Sequence, residues 1–294
     1  MTTPITYEKV SANGLTFDVA MCGQGERLAL CLHGFPESAF SWRCQMPMLV
    51  ELGYRVWAPN LRGYGNSDRP RGVRNYAMPH LRDDIAGLID AANARDVTLI
   101  AHDWGAAIAW DFALRKVRPL SRFVVLNMPH PAIFAQAVRR WPQLRRSWYI
   151  LFFQLPWLPE WLLSWNNGEW IARAFRDMAI DKTRFPDDIQ AEYRRNALLP
   201  GALTAMLNYY RAALRYADLP EPMPRLDIPT LMIWGEEDSA LGKELTLGTD
   251  ALVEDFTLRY LPRISHWVQQ EAPDQVNAIL AAWLSGETPP VYDD

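Results

Sequence analysis

The sequence predicts an α/β protein: a mostly parallel sheet flanked by helices, with one long helical excursion inserted into it. Three observations predict this. Short apolar, β-branched runs alternate with helical patterns up to about residue 130 and resume after residue 225. One such run, Val97–Ala101, gives way to a helical pattern from Gly105 with only His102, Asp103 and Trp104 between them. From about Pro131 to Pro224 there is no convincing buried strand, only helical stretches broken by prolines. A chain of 294 residues, 49% of them hydrophobic, can build one such core and an insert.

In order, residues 6–22 alternate as a β-hairpin does, with the turn at Asn13-Gly14. Leu28–Leu32 is a short buried strand. It ends in the loop His33-Gly-Phe-Pro-Glu37, and a helix is expected from about Ser38. Tyr54–Ala58 is the next strand, ending at Pro59. The Gly-rich stretch from Arg62 to Pro70 follows. It lacks the spacing and the closing Lys-Ser/Thr of a phosphate loop and reads as a structural turn. A helix is expected over 77–95, then the strand and helix around Asp103, then the strand Phe123–Leu126. The expected units are a core over 1–130, a helical lid over 131–224, and the rest of the core over 225–294. Six of the thirteen tryptophans fall in the lid, at 141, 148, 157, 161, 165 and 170. They are expected to face an apolar pocket or to pack the lid on the core. The sheet resumes with Pro229–Trp234 and Phe256–Leu261. A closing helix runs over 272–284, and the tail from Thr288 looks frayed.

A net charge of −4 gives no sign of a nucleic-acid or anionic-membrane partner. The N-terminal stretch lacks the basic and apolar regions of a signal peptide, and no apolar run nears the roughly 20 residues that span a bilayer. Cys22, Cys31 and Cys44 are odd in number and lack metal-ligand spacing. They read as reduced thiols of a cytoplasmic protein, Cys31 as a small buried hydrophobe. Nothing separates a monomer from a homodimer.

In an open parallel sheet, ligands bind beyond the carboxyl ends of the strands. His33, Asp103, Asp238 and His266 each follow a predicted strand, so they should meet at one edge. The turn at 102–104 reads as a nucleophile elbow, which lifts one side chain above the sheet at a helix N-terminus. Most elbows lift Ser, but here the lifted residue is Asp103. No G-x-S-x-G occurs, which excludes a serine esterase. Glu236 and Glu237 compete with Asp238 for the acid role. His102 flanks the elbow and should point away from the ligand. His130 is expected to shape the lid hinge and His80 to lie on a helix surface, while Glu37 has no assigned role.

The chain resembles the epoxide hydrolases of the α/β-hydrolase fold. The likeness lies in His33-Gly-Phe-Pro-Glu37, Arg62-Gly-Tyr-Gly65, His102-Asp-Trp-Gly105, Gly235-Glu-Glu-Asp238 and Ser265-His-Trp267. Two lid motifs are also similar, Ser147–Pro156 and Leu207-Asn-Tyr-Tyr-Arg211. They imply catalytic tyrosines at Tyr149 and Tyr210, with Tyr209 competing for the second place. The resemblance covers nearly the whole chain. It departs at Asn60, where relatives often carry Asp, and at Ser265, where they often carry Gly.

The resemblance implies a reaction that suits these residue types. An aspartate, with a reference pKa of about 3.9, is already ionised at neutral pH and can attack a strained ether carbon without a general base. Two phenols aimed at the epoxide oxygen can hold and protonate the leaving alkoxide. The ester left on Asp103 would be hydrolysed by water that His266 deprotonates, with Asp238 orienting the imidazole. The backbone N–H groups of Phe35 and Trp104 are the expected oxyanion donors. His33, Pro36 and Trp104 are expected to contact substrate. The product is a vicinal diol, with no metal or organic cofactor, and the lid composition suggests an apolar or aromatic epoxide. A haloalkane or haloacid dehalogenase shares the Asp nucleophile. However, Phe35 offers no side-chain donor for a halide, Trp104 stands where haloacetate enzymes favour Arg, and a halide has no use for two phenols. A ligand-binding protein without turnover should have lost part of the triad or the tyrosine pair, and this sequence keeps both motifs.

Overall fold

The hairpin forms as expected. β1 (Thr6–Ala12) and β2 (Leu15–Cys22) pair antiparallel around Asn13 and Gly14, whose φ values of 47° and 71° suit a two-residue primed turn. The computed structural model describes residues 4–293. Met1–Thr3, the start of the stretch read above for a signal peptide, and Asp294 of the tail lie outside the described residues. β3 (Arg27–Leu32), β4 (Tyr54–Pro59), β5 (Val97–His102), β6 (Arg122–Leu126), β7 (Thr230–Gly235) and β8 (Phe256–Leu261) complete an eight-stranded sheet. Its order is β1-β2-β4-β3-β5-β6-β7-β8. β2 pairs antiparallel with β4, and every other pair from β4 to β8 is parallel.

Alternate residues of the central strands feed two apolar clusters, one on each face of the sheet. Leu30, Leu99, Val125 and Met232 belong to one. Cys31, Ile100, Val124 and Ile233 belong to the other, which the helix Pro273–Leu284 covers. Every residue of β5 and β7 is buried, which explains their unbroken apolar runs.

Three local expectations need correction. The helix expected from about Ser38 begins only at Met46. A 3₁₀ turn, Ala39–Trp42, precedes a six-residue helix, Met46–Glu51, because Pro47 lacks the N–H that would carry an earlier helix through it. The helix expected over 77–95 runs Met78–Ala92 and stops where Asn93 turns left-handed at φ 50°. The tail is anchored rather than frayed up to Tyr292: Arg259 donates to the Pro289 carbonyl at 3.0 Å, and Tyr292 packs against the second cluster.

Between β6 and β7 the described residues form six α-helices and no strand: Pro131–Ala137, Trp141–Arg146, Trp148–Phe152, Leu158–Met178, Asp187–Ala197 and Ala202–Arg215. The fourth breaks at Trp165–Gly168, where Asn166, Asn167 and Gly168 take positive φ. Most of the insertion's inward side chains, among them Ile171, Phe175, Tyr193 and Tyr209, join the first sheet cluster, while Phe153, Leu207 and Tyr210 form a small cluster of their own against Phe35 and Trp104. The six tryptophans do not do what was expected of them. All are exposed, from 43% at Trp170 to 74% at Trp141 and Trp157. The inward positions are filled instead by Phe153, Ile171 and Phe175, leaving the indoles on the outside.

Candidate active site

β5 ends at His102 and the next helix, Asp103–Leu114, begins at once. Asp103 takes φ 45°, a strained value for a side chain other than Gly or Asn. The strain is held by close packing. A Cβ on Gly105 would lie 2.5 Å from the Leu32 carbonyl oxygen, and one on Gly34 would lie 2.4 Å from the Asp103 side chain. Only glycines let the helix start and the loop after β3 press against the carboxylate. Phe35 N–H then donates to Asp103 Oδ2 at 2.8 Å. The N–H of Trp104 lies in the first turn of the helix, where it has no partner within the helix.

The other oxygen, Oδ1, lies 3.7 Å from His266 Nε2. His266 Nδ1 lies 2.7 Å from Asp238 Oδ2, so that nitrogen carries the proton when Asp238 is ionised. Asp238 Oδ2 also accepts from Asn127 Nδ2 at 2.7 Å, and Oδ1 accepts the N–H groups of Ala240 and Leu241. Burial works to raise the Asp238 carboxyl, but the His266 charge and these hydrogen bonds win and hold it below its ordinary value. Burial works to lower His266, and the Asp238, Asp103 and Glu37 charges outweigh it, raising it to about 9. Glu237 is exposed and Glu236 pairs with Lys243, which leaves Asp238 facing the histidine.

Tyr149 and Tyr210 stand over this edge from two helices of the insertion, ring centroids 5.9 Å apart and nearly perpendicular. Burial first, and then the Asp103 charge, raises both phenols above their ordinary value, so both are protonated donors at neutral pH. Tyr209 points elsewhere and donates to the Arg62 carbonyl at 2.8 Å. The Gly-rich turn is the seat of that helix. Arg62 is locked to buried Asp84 at 2.6 Å, and a Cβ on Gly63 would fall 2.5 Å from Ala205 Cβ. Arg211 ties the two phenol-bearing helices together. Its guanidinium donates to the carbonyls of Phe153 and Leu155 and pairs with Glu160 at 2.7 Å.

Comparison with known proteins gives the family. The α/β hydrolase fold family matches residues 30–273. Human epoxide hydrolase 4 is 36% identical over 290 residues, covering 96% of this chain and 79% of that one. Epoxide hydrolase A of Mycobacterium tuberculosis is 30% identical, covering 96% and 98%. The solved structure of Bacillus megaterium epoxide hydrolase with an inhibitor superposes with TM-score 0.87 at 29% identity, covering 95% of this chain and all of that one. The chain belongs to the α/β-hydrolase-fold epoxide hydrolases.

In this member of the epoxide hydrolase family, Trp104 lines a cavity of about 430 Å³ whose walls include Met128, Phe134, Ile150, Tyr210 and Leu214. His33 does not face it. The ring is fully buried: Nε2 accepts from the Leu61 N–H, Nδ1 meets the Gly34 carbonyl, and burial lowers its pKa to about 4. Both nitrogens are taken by backbone, so His33 holds the loop rather than a substrate. Pro36 is likewise buried. His130 caps the helix Pro131–Ala137 through Nδ1, at the point where the chain leaves the core.

Sequence reasoning missed two supports. Asn127 directly follows β6 at the same sheet edge and bridges Asp238 and the Gly235 N–H. Its place directly after a strand was the available signal. Glu37 is fully buried and accepts from the Gly34 N–H, Gln269 and Gln270, while His102 Nδ1 lies 2.8 Å away. His102 in turn reaches the His266 carbonyl at 2.9 Å. His102 therefore points away from the ligand, as expected, and braces the backbone of His266. The two departures from family habit also have partners. Asn60 donates to Asp18 Oδ2, where a carboxylate would repel. Ser265 Oγ donates to buried Glu271, which also accepts the N–H groups of Ile180 and Asp181 in the insertion.

Proposed function

We propose that this enzyme opens an epoxide to a vicinal diol through an alkyl ester on Asp103. The observation that carries the reading is the pair of raised, protonated phenols facing a carboxylate whose two oxygens have different surroundings. Oδ2 is held by the Phe35 N–H, which leaves Oδ1 as the attacking atom. It forms a C–O bond to a ring carbon as the C–O bond to the epoxide oxygen breaks. Tyr149 and Tyr210 hold that oxygen and one supplies its proton, which water later returns to the phenol. Burial raises the phenols most and the Asp103 charge adds to it; that charge vanishes as the ester forms, so their acidity rises when the alkoxide needs the proton.

In the second half His266 Nε2 takes a proton from water, and the hydroxide adds to the ester carbonyl carbon. The negative charge develops on Oδ2, already at the Phe35 N–H, with the Trp104 N–H as the second donor. Collapse expels the diol oxygen, which takes the proton back from the imidazolium, and the acid proton left on Asp103 passes through water to the phenolate, restoring the carboxylate and the phenol. Asp238 stabilises the imidazolium in between. The insertion acts as the lid of this site. The apolar cavity beside Trp104 and Tyr210 supports an apolar or aromatic substituent on the epoxide. That support comes from Met128, Phe134, Ile150 and Leu214, not from the tryptophans that first suggested it. A panel of aryl, alkyl and small hydrophilic epoxides and alkyl halides, assayed in parallel for diol and halide, tests the reading. Diol from aryl and alkyl epoxides without halide release is expected. Halide release with no diol would replace it with a dehalogenase.

A further inference from the structure

We propose that the outer face of the helical insertion is a docking surface for an anionic phospholipid bilayer. Trp141, Trp148, Leu144 and Leu151 line one open depression together with Arg145 and Arg146. Trp157 and Trp161, one helical turn apart, continue the exposed aromatic display on the next helix. Isolated apolar side chains on a surface are ordinary, but a run of indoles and leucines left in water by one segment marks an interaction face.

The charge pattern selects the partner. Residues 131–168 carry Arg139, Arg140, Arg145 and Arg146 and a single acid, Glu160. That acid is already paired with Arg211. Arg146 pairs with Glu244, while no ion pair to a described residue engages Arg139, Arg140 or Arg145. The net charge of −4, which argued against such a partner, averages over this segregation. Indoles beside arginines are the composition of an interfacial membrane surface, in which the rings settle at headgroup depth and the guanidinium groups meet phosphate. A second copy of the chain fits less well, because a two-fold contact sets the same unpaired arginines against each other. None of the described helices is long and apolar enough to cross a bilayer, so the contact is superficial. It is also well placed. Leu144 and Leu151 line the outer depression on one side and the apolar cavity on the other, a short path for an apolar compound dissolved in lipid.

Flotation of the full-length protein with vesicles tests this, using phosphatidylcholine alone and phosphatidylcholine with one third phosphatidylglycerol. The protein should float with the anionic vesicles, with a blue shift of tryptophan fluorescence, and lose them at high salt. Arg139→Gln/Arg140→Gln/Arg145→Gln should partition about a hundredfold more weakly, the expected loss for three charges near an anionic surface. Trp141→Ser/Trp161→Ser should weaken flotation and remove the blue shift. Both variants should keep the wild-type circular dichroism spectrum and turnover of a water-soluble epoxide. Wild-type protein that stays at the bottom of the gradient overturns the proposal. So does equal flotation of the variants, or a dimer in sedimentation that Trp141→Ser dissociates. Flotation is read without substrate, so its outcome is independent of the ester chemistry.

Discussion

The sheet edge and the helical layer above it meet at one site but are built differently. At the edge the groups are charged, and backbone supplies most of their donors: Phe35 N–H on Asp103, and Ala240 and Leu241 N–H on Asp238, with the Asn127 side chain adding one tie. In the helical layer the groups are neutral phenols, and side chains hold them through Arg211, Tyr209 and Arg62. Backbone donors cannot be removed by substitution, whereas side-chain ties can. The edge serves both half-reactions of the proposed cycle and the layer only the first. The two regions should therefore fail in different ways.

The largest effect is expected from Asp103→Asn, which removes the nucleophile that both halves need. Steady turnover should fall on the order of ten-thousandfold or more, with no covalent adduct by mass spectrometry. His266→Gln should stop turnover nearly as completely but leave the first half intact, so an alkyl adduct should accumulate on Asp103. Rapid diol release from that variant would show that the edge does not divide its work in this way. Tyr149→Phe or Tyr210→Phe should slow ring opening about a hundredfold each, in single-turnover quench experiments, while adduct decay is unchanged. An unimpaired double variant would sink the role of the helical layer.

Arg211→Ala sharpens the contrast without touching a reacting group. It leaves Glu160 unpaired and unties the helix carrying Tyr149 from that carrying Tyr210. Stability should drop by about 3 kcal/mol in urea unfolding. Ring opening should slow by about tenfold with adduct decay unaffected. The smallest effect is in pH dependence. His266 at about 9 is protonated in the resting enzyme at neutral pH, and a base must be neutral. Adduct decay should therefore rise with pH. Its midpoint should lie below 9, because ester formation removes the Asp103 charge that helps to raise the imidazole. A decay rate that falls as pH rises would exclude His266 as the base.

Much of the edge was legible in the chain because its determinants are local. A buried strand followed at once by a helix leaves no residues for a loop, so Asp103 had to be lifted. Asp238 and His266 each follow a strand in the same sheet. The helical layer was less legible. Helical spacing places Tyr209 and Tyr210 on different faces but does not say which face looks at Asp103. The six tryptophans were expected inside by composition and stand outside. Asn127 and Glu37 act through partners more than 100 residues away in sequence, Asp238 for Asn127 and the glutamines at 269 and 270 for Glu37.

By itself the sequence determined the alternation of strand and helix, the elbow and the carboxylate at its tip, because each depends on neighbours a few residues apart. Only the tertiary structure decided which tyrosine faces that carboxylate, that His33 is a buried brace and that the indoles meet water. It also decided that the histidine at 266 is raised while those at 33 and 130 are lowered to about 4. The physical reason is common to all of these. Burial and electrostatic surroundings are set by what packs against a side chain, and for these residues the packing partners come from distant parts of the chain.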